Sequence, residues 1–177
     1  MIKLRYFEKA DFKQLIDWVE TAEFMLQWGG PSFVFPLNEF QLKEYLKDAN
    51  EKNSSSYIYS VVEAETEKLI GHISITRIDR NNRSGRIGRV LVGDPDAKGK
   101  GICGQMMQQV LKIAFEELQL HRVTLGVFDF NKPAIACYEG AGFQKEGLLR
   151  DHQKFDSEYW SLWEMAILED EWRESVG

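Results

Sequence analysis

The chain has 177 residues, of which 44% are hydrophobic and 28% charged, as is ordinary for one soluble globular domain with a buried core. Its formal net charge of −6 argues against a nucleic-acid-binding protein and fits a cationic substrate somewhat better. No basic-then-apolar signal opens the chain and no apolar run approaches ~20 residues, so we expect a cytoplasmic protein that does not enter membranes.

The first elements are predicted from periodicity and helix-start signals. Apolar and polar residues alternate over Ile2 to Tyr6, which predicts a strand. Asp11 followed by Gln14 resembles a capping box and predicts that a helix begins there. Asn38 is followed by Gln41 at the same spacing and predicts the start of a second helix.

The segment between these helices, Phe24 to Pro36, contains four aromatic residues and is interrupted by Gly29-Gly30-Pro31. These aromatic residues either pack in the core or line a substrate pocket. Residues 151–160 are the other candidates for shaping such a pocket. Their charged members could favour a cation or could simply be solvated: His152, Asp156 and Glu158.

The remaining elements predict a single sheet flanked by helices. Hairpin-like connections join three successive strands, predicted over 57–63, 69–78 and 86–92, so these strands are expected to pair antiparallel. A helix over 102–118 then leads to a strand over 121–127, which a βαβ crossover places parallel to the strand before the helix. The last predicted elements are a helix capped by Asn131, strands over 144–150 and 159–167, and a helical turn over 169–174. We predict one α/β domain, residues 1–177, with a mixed and largely antiparallel sheet.

Three glycines, Gly99, Gly101 and Gly104, lie between the strand predicted over 86–92 and the helix predicted over 102–118. Glycine lets a ligand approach the backbone closely, and the free N–H groups of a helix's first turn favour anions. Lys98 and Lys100 add positive charge at the same place. The sequence therefore predicts a site for a phosphate-bearing cofactor.

The same glycines match the G-x-G-x-x-G fingerprint of dinucleotide-binding proteins. Residues 93–98 separate them from the strand, however. The ribose-binding acid should stand at the end of the next strand, and Asp129, the one candidate, lies somewhat beyond that position. The preceding strands are also predicted to be antiparallel. A Walker loop is excluded because Gly-Lys is not followed by Ser or Thr. A nicotinamide-dependent oxidoreductase remains an alternative.

The glycine loop followed by a helix, together with a later motif, resembles the GNAT superfamily of N-acetyltransferases. The later motif runs from Asn131 through Ala134 and Tyr138 to Gly142-Phe143, and it matches the N-x-x-A-x-x-x-Y-x-x-x-G-F signature at full spacing. Leu4-Arg5 and 169–172 are similar to the branch that includes ribosomal-protein alanine acetyltransferases. The resemblance covers nearly the whole chain and implies a sheet with a splayed pair of parallel strands.

The resemblance implies acetyl-CoA as cosubstrate and no metal. The residues implied to bind it are Leu91, Val92, Lys98, Gly99, Lys100, Gly101, Ile102, Cys103, Gly104 and Asn131. Lys98 and Cys103 depart from the family's loop, where Gln or Arg and Gly or Ala are usual. Lysine keeps the charge but loses the planar guanidinium, and cysteine is still small.

Tyr138 matches the family's tyrosine that protonates the departing CoA thiolate. A phenol with a pKa of ~10 remains protonated at neutral pH and can donate to a thiolate whose acid has a pKa of ~8.5. The alternative is a tyrosine that only packs at a helix end. A base should deprotonate the attacking amine, and His72, Asp129 and Glu63 are all candidates.

The two cysteines, Cys103 and Cys137, are expected to be small, buried or half-buried side chains rather than a disulfide framework or a metal cluster. The acceptor is expected to be a small-molecule amine or a protein N-terminal amine, and the protein a monomer or homodimer. A non-catalytic acyl-CoA-binding module is the alternative from a different functional class.

Overall fold

The computed structural model describes residues 1–177 and contains one seven-stranded sheet in the order β1-β2-β3-β4-β5-β7-β6. The strands are β1 (Ile2–Tyr6), β2 (Tyr57–Glu63), β3 (Leu69–Asp79), β4 (Ser84–Val92), β5 (Arg122–Phe128), β6 (Gln144–Phe155) and β7 (Glu158–Leu168). All neighbours pair antiparallel except β4 and β5, which pair parallel. The predicted mixed, largely antiparallel sheet is confirmed.

Six α-helices accompany the sheet: α1 (Phe12–Trp18), α2 (Ala22–Gly29), α3 (Glu39–Leu46), α4 (Ile102–Lys112), α5 (Lys132–Gly140) and α6 (Glu169–Val176). A π-helical turn over Ile113–Glu117 continues α4. The predicted caps of α3 and α5 are confirmed, because the side chains of Asn38 and Asn131 accept bonds from Gln41 N–H and Ala134 N–H. None of the helices combines the length and the apolar character needed to span a membrane.

Helix α2 is absent from the sequence-based prediction, in which Phe24 to Pro36 lies between two helices. Thr21 caps α2 by accepting a hydrogen bond from Phe24 N–H, and Gly30, with φ of 68°, ends it. Met25 and Trp28 form the buried side of α2. The sequence signal was the threonine cap followed by apolar residues at helical spacing, which the cluster of aromatic residues and glycines obscured.

The hydrophobic core lies on both faces of the sheet. The larger cluster packs α4, α5 and α6 against the strands, and the smaller one packs α1, α2 and α3 against the opposite face. Strand β2 is therefore buried at six consecutive positions, as expected of a strand covered on both faces. The helices of the two layers thereby flank the strands that form the site.

The predicted capping box of Asp11 and Gln14 is wrong. The Asp11 carboxylate instead accepts hydrogen bonds from Glu8 N–H, from the Ser60 hydroxyl and from both terminal nitrogens of Arg5 at 2.7 and 2.8 Å. Burial alone would raise the pKa of Asp11, but these donors outweigh it and hold the pKa below its ordinary value. Asp11 thus ties β1 and β2 to the first helix.

We expect Asp11→Asn to lower the free energy of unfolding by about 2 to 4 kcal/mol at pH 7, because it leaves Arg5 partly buried without its partner. Since the pKa of Asp11 is depressed, its contribution is present above the ordinary carboxyl pKa and is lost as pH falls through the folded-state pKa. Urea unfolding should therefore show a difference from wild type that is constant above pH ~5 and narrows below pH ~4. The exposed pair of Lys13 and Asp17 provides the control, Asp17→Asn. Equal stability of Asp11→Asn and wild type would contradict the prediction.

Candidate functional site

A cleft opens in the sheet between the parallel strands β4 and β5. Their ladder joins only Ser84–Arg86 to 122–124, and beyond it the two strands are not paired. The resulting cleft of about 140 Å³ is lined by four of the predicted site residues: Leu91, Val92, Asn131 and Tyr138. The splayed strand pair that the resemblance implied is therefore present, and it presents the edge of β4 to the cleft.

Strand β4 contains a bulge in its ladder with β3, next to the residues that line this cleft. His72 and Ser74 of β3 pair with Leu91 and Gly88, so β4 has one residue more than β3 over this stretch. Arg89 lies within the bulge and adopts a left-handed backbone conformation with φ of 51°. A bulge bends its strand and redirects a side chain, here that of Arg89.

The N-terminus of α4 presents free backbone donors. The first backbone hydrogen bond of this helix runs from Gln105 N–H to Gly101 O, and the N–H groups of 102–104 precede it without a partner in the chain. Gly99 and Gly101 have φ of 73° and 72°, which favours glycine, and a Cβ on either would meet open space. Lys98 and Lys100 are exposed beside this loop. Free N–H groups at a helix start, with lysines beside them, are typical of a phosphate site, and the binding of a diphosphate here stays a prediction.

The expectation that the two cysteines do not form a disulfide is wrong. Cys103, in the first turn of α4, is bonded to Cys137 of α5, with the two Cα atoms 6.4 Å apart. Both cysteines also pack against the larger hydrophobic cluster. The bond thus fixes the helix that carries the free N–H groups to the helix that carries Tyr138.

Tyr138 is 7% exposed and packs near Phe143 at the end of α5. Burial raises its pKa well above that of an ordinary phenol. Asn131 begins the same helix as its cap and borders the same cleft. Tyr138 therefore lies at the cleft as a group that stays protonated well above neutral pH.

A larger cavity of about 980 Å³ adjoins the cleft, and residues including Trp28, Arg89 and Gly126 line both. The part of the aromatic segment that lines it is 26–32, together with His152 and Gln153 from β6. Of the four aromatic residues only Trp28 lines this cavity, and Trp28 and Phe33 also pack in the smaller core cluster, so core packing accounts for more of this segment than the pocket does. Asp156 and Glu158 do not line the cavity. A cavity of this size can hold a small molecule.

The charged side chains of the large cavity were not assigned from the sequence. Arg77, Arg86 and Arg89 line it, with Glu164 as its one carboxylate. Arg86 holds Glu164 through two hydrogen bonds of 2.8 and 2.9 Å. No local pattern signals Glu164, because its partner lies 78 positions away.

None of the three candidate bases lines either cavity. His72 is 1% exposed, and burial, with the nearby Arg89 charge, lowers its pKa to about 3, so it is a weak base at neutral pH. Its ring bonds the Tyr45 hydroxyl at 2.9 Å. Asp129 and Glu63 line neither cavity.

Comparison with known proteins gave consistent results. The family model "Acetyltransferase (GNAT) domain" matches residues 2–144. Over 119 residues the chain is 34% identical to the SPbeta prophage-derived uncharacterized N-acetyltransferase YokL of Bacillus subtilis, covering 67% of this chain and 64% of YokL, slightly less than two thirds of that relative. It is 26% identical to spermidine N(1)-acetyltransferase of Vibrio cholerae, covering 97% of this chain and 95% of that protein. The solved Vibrio cholerae spermidine N-acetyltransferase in complex with CoA and spermine superposes with a TM-score of 0.83 at 25% identity, covering 97% and 98% of the two chains.

Proposed function

Because the chain belongs to the GNAT acetyltransferase family, we propose that it transfers the acetyl group of acetyl-CoA to the nitrogen of a primary amine. The observation that carries this proposal is the cleft between β4 and β5, which Tyr138 and Asn131 line and which joins the larger cavity. Acetyl-CoA supplies a thioester carbonyl, and the larger cavity supplies the space for the amine.

The diphosphate of acetyl-CoA binds to the N–H groups of Ile102, Cys103 and Gly104, with Lys98 and Lys100 beside it. Support comes from the unpaired state of these N–H groups and from the open space around Gly99, Gly101 and Gly104. The pantetheine arm pairs as an extra strand with the free edge of β4 at Leu91 and Val92, and Asn131 borders it.

In the transfer, the neutral amine nitrogen attacks the thioester carbon, and a backbone N–H of β4 polarises the carbonyl oxygen. The carbon–sulfur bond then breaks, and the departing thiolate takes a proton from the Tyr138 hydroxyl. The acetylated nitrogen releases its extra proton, and the phenolate regains a proton from solvent. The support for this role is the position of Tyr138 in the lining of the cleft. Burial raises its pKa, which keeps the acid protonated but makes proton transfer to the thiolate uphill.

We expect Gly104→Asp to weaken CoA binding by about 100-fold without loss of stability. A Cβ at Gly104 meets open space, so the new carboxylate can accept hydrogen bonds from the free N–H groups at the start of α4. The helix dipole also stabilises a negative charge at this end of the helix. Calorimetric titration with CoA measures the affinity, with Gly104→Ala and Gly104→Asn as neutral controls. Unchanged affinity in Gly104→Asp would place the diphosphate elsewhere.

The function itself is tested by mixing the protein, acetyl-CoA and a panel of amines and measuring release of free CoA thiol. A non-catalytic acyl-CoA-binding module predicts saturable CoA binding with no thiol release, and an oxidoreductase predicts binding of NADH instead. The domain extent 1–177, the likeness to the ribosomal-protein branch, the cytoplasmic location and a monomeric or homodimeric state stay predictions. Size-exclusion chromatography with light scattering tests the last of them.

A further inference from the structure

Two residues that line the large cavity carry buried hydrogen-bond donors that nothing in the chain satisfies. Two buried side-chain nitrogens in the structure have no partner, Arg89 Nε and Trp28 Nε1, and both residues line this cavity. A buried donor without a partner destabilises the folded protein, so such a donor is generally satisfied by a bound ligand or a water molecule. Both are donors only, so the group that satisfies them must be an acceptor.

Arg89 is held in place but not neutralised. Its guanidinium lies over the rings of Phe33 and Tyr45, 5.0 and 4.7 Å from their centroids, and one terminal nitrogen donates to the Ser32 hydroxyl at 2.8 Å. No carboxylate pairs with it, although twelve salt bridges form elsewhere in the chain. The positive backbone φ in the β4 bulge sets its direction. A fixed, unpaired guanidinium suits an oxyanion, which it can bind through two parallel hydrogen bonds.

The other charges of the cavity do not favour a cation. Glu164 is its only carboxylate, and Arg86 occupies both of its oxygens. Gly126 makes this pairing possible, because a Cβ at that position would lie 2.6 Å from an Arg86 terminal nitrogen. Arg77 also lines the cavity and forms no salt bridge. The lining therefore carries a surplus of positive charge, in contrast to the net charge of −6 of the whole chain.

From these observations we infer that the acceptor is a small primary amine that carries an anionic oxygen group, a carboxylate or phosphate, and that Arg89 with Trp28 binds that group. Since Arg89 lines both the cavity and the cleft, an anion bound there leaves the amino group of a small molecule within reach of the thioester. The inference rests on the proposed acetyl transfer. It sets this chain apart from a polyamine acetyltransferase, whose acceptor carries only cations.

The test compares amines that share a skeleton and differ in the anionic group. The panel contains the twenty amino acids, their amides, their decarboxylated amines, 1-aminoethylphosphonate and spermidine, with thiol release as the readout. We expect at least one acid to exceed its own amide and decarboxylated amine by about 30-fold or more in kcat/KM, since only the acid satisfies Arg89. Carboxylates and the phosphonate in separate arms distinguish the two kinds of anion.

Variants assign the effect to Arg89. Arg89→Gln should lower kcat/KM for the preferred acid by about 100-fold, mainly through KM, and should change that of its amide by less than about 3-fold. Arg89→Lys keeps the positive charge, so its kcat/KM for the preferred acid should lie between those of Arg89→Gln and wild type. Arg150→Gln removes the same charge from an exposed position outside the cavity and serves as the control. If Arg89→Gln does not fold, Trp28→Phe tests the same contact by removing one donor while keeping a ring.

Failure of this inference differs from failure of the proposed function. If amides or spermidine react as well as the acids, or if Arg89→Gln slows all amines equally, the inference is overturned while acetyl transfer stands. If no amine releases thiol, the proposed function fails. Calorimetric titration of the CoA-bound protein with the same acids then still tests whether Arg89 forms an anion site. Saturable heat from an acid that Arg89→Gln abolishes supports the anion site, and no heat from any acid overturns it.

Discussion

The Tyr138→Phe variant is expected to lose about 10²- to 10⁴-fold in kcat while it binds acetyl-CoA as tightly as wild type. Phenylalanine keeps the ring that packs near Phe143 and removes only the hydroxyl, so the fold and the cleft should be retained. Without the hydroxyl the thiolate must leave unprotonated or wait for water. The rate of thiol release at saturating substrates gives kcat, and calorimetric titration with CoA gives the affinity.

The matched control for this variant is Tyr159→Phe, because Tyr159 is exposed on β7 and lines neither cavity. Its turnover should equal that of wild type. Equal turnover in Tyr138→Phe and wild type would remove Tyr138 from the mechanism. A parallel fall in CoA affinity would indicate a packing role instead.

The pH dependence provides a separate check on Tyr138. An acid must carry its proton to act, and burial raises the pKa of this phenol. The alkaline limit on kcat that deprotonation of Tyr138 imposes should therefore lie above pH ~10, the ordinary phenol pKa. Turnover at saturating amine should not fall between about pH 7 and 9.5.

Reduction of the bond between Cys103 and Cys137 is expected to lower the free energy of unfolding by about 3 to 4 kcal/mol. The bond closes a loop with a sequence separation of 34, and cross-linking a loop of that length removes this much chain entropy from the unfolded state. For a domain of this size the midpoint of thermal unfolding should fall by about 6 to 15 °C. Thermal unfolding of protein purified without reductant, measured with and without dithiothreitol, checks this.

The double variant Cys103→Ala/Cys137→Ala should unfold near the reduced wild type and should not respond to dithiothreitol. Thiol titration of denatured, unreduced protein should find no free thiol. Two titratable thiols there would show that the bond does not form in the purified protein. Because disulfides persist in oxidising compartments, the same titration on protein from cells also bears on the expected cytoplasmic location.

The local patterns of the sequence predicted most of the elements. The strand over Ile2–Tyr6 and the strand over Tyr57–Glu63 have the predicted bounds, and the cap at Asn131 begins the predicted helix. Strand alternation and helix caps are local properties, so a few neighbouring residues determine them. The motif around Tyr138 likewise has fixed spacing along the chain, so residue types and their intervals were enough to indicate the family.

What the sequence did not yield depends on residues that are distant along the chain. The Cys103–Cys137 bond requires α4 and α5 to approach until the two Cα atoms are 6.4 Å apart, a distance that counting cysteines does not give. The neutralisation of Glu164 requires the side chain of Arg86 to cross β5 at Gly126.

By itself, then, the sequence determined the order of the seven strands along the chain, the family, and the presence of a glycine loop with a tyrosine motif after it. Only the tertiary structure decided that Tyr138 borders the open edge of β4 and that Arg89 enters the adjoining cavity without an anionic partner. The physical reason is that hydrophobic periodicity is read within one element, whereas the charge of a cavity is the sum over side chains from several elements that packing brings together.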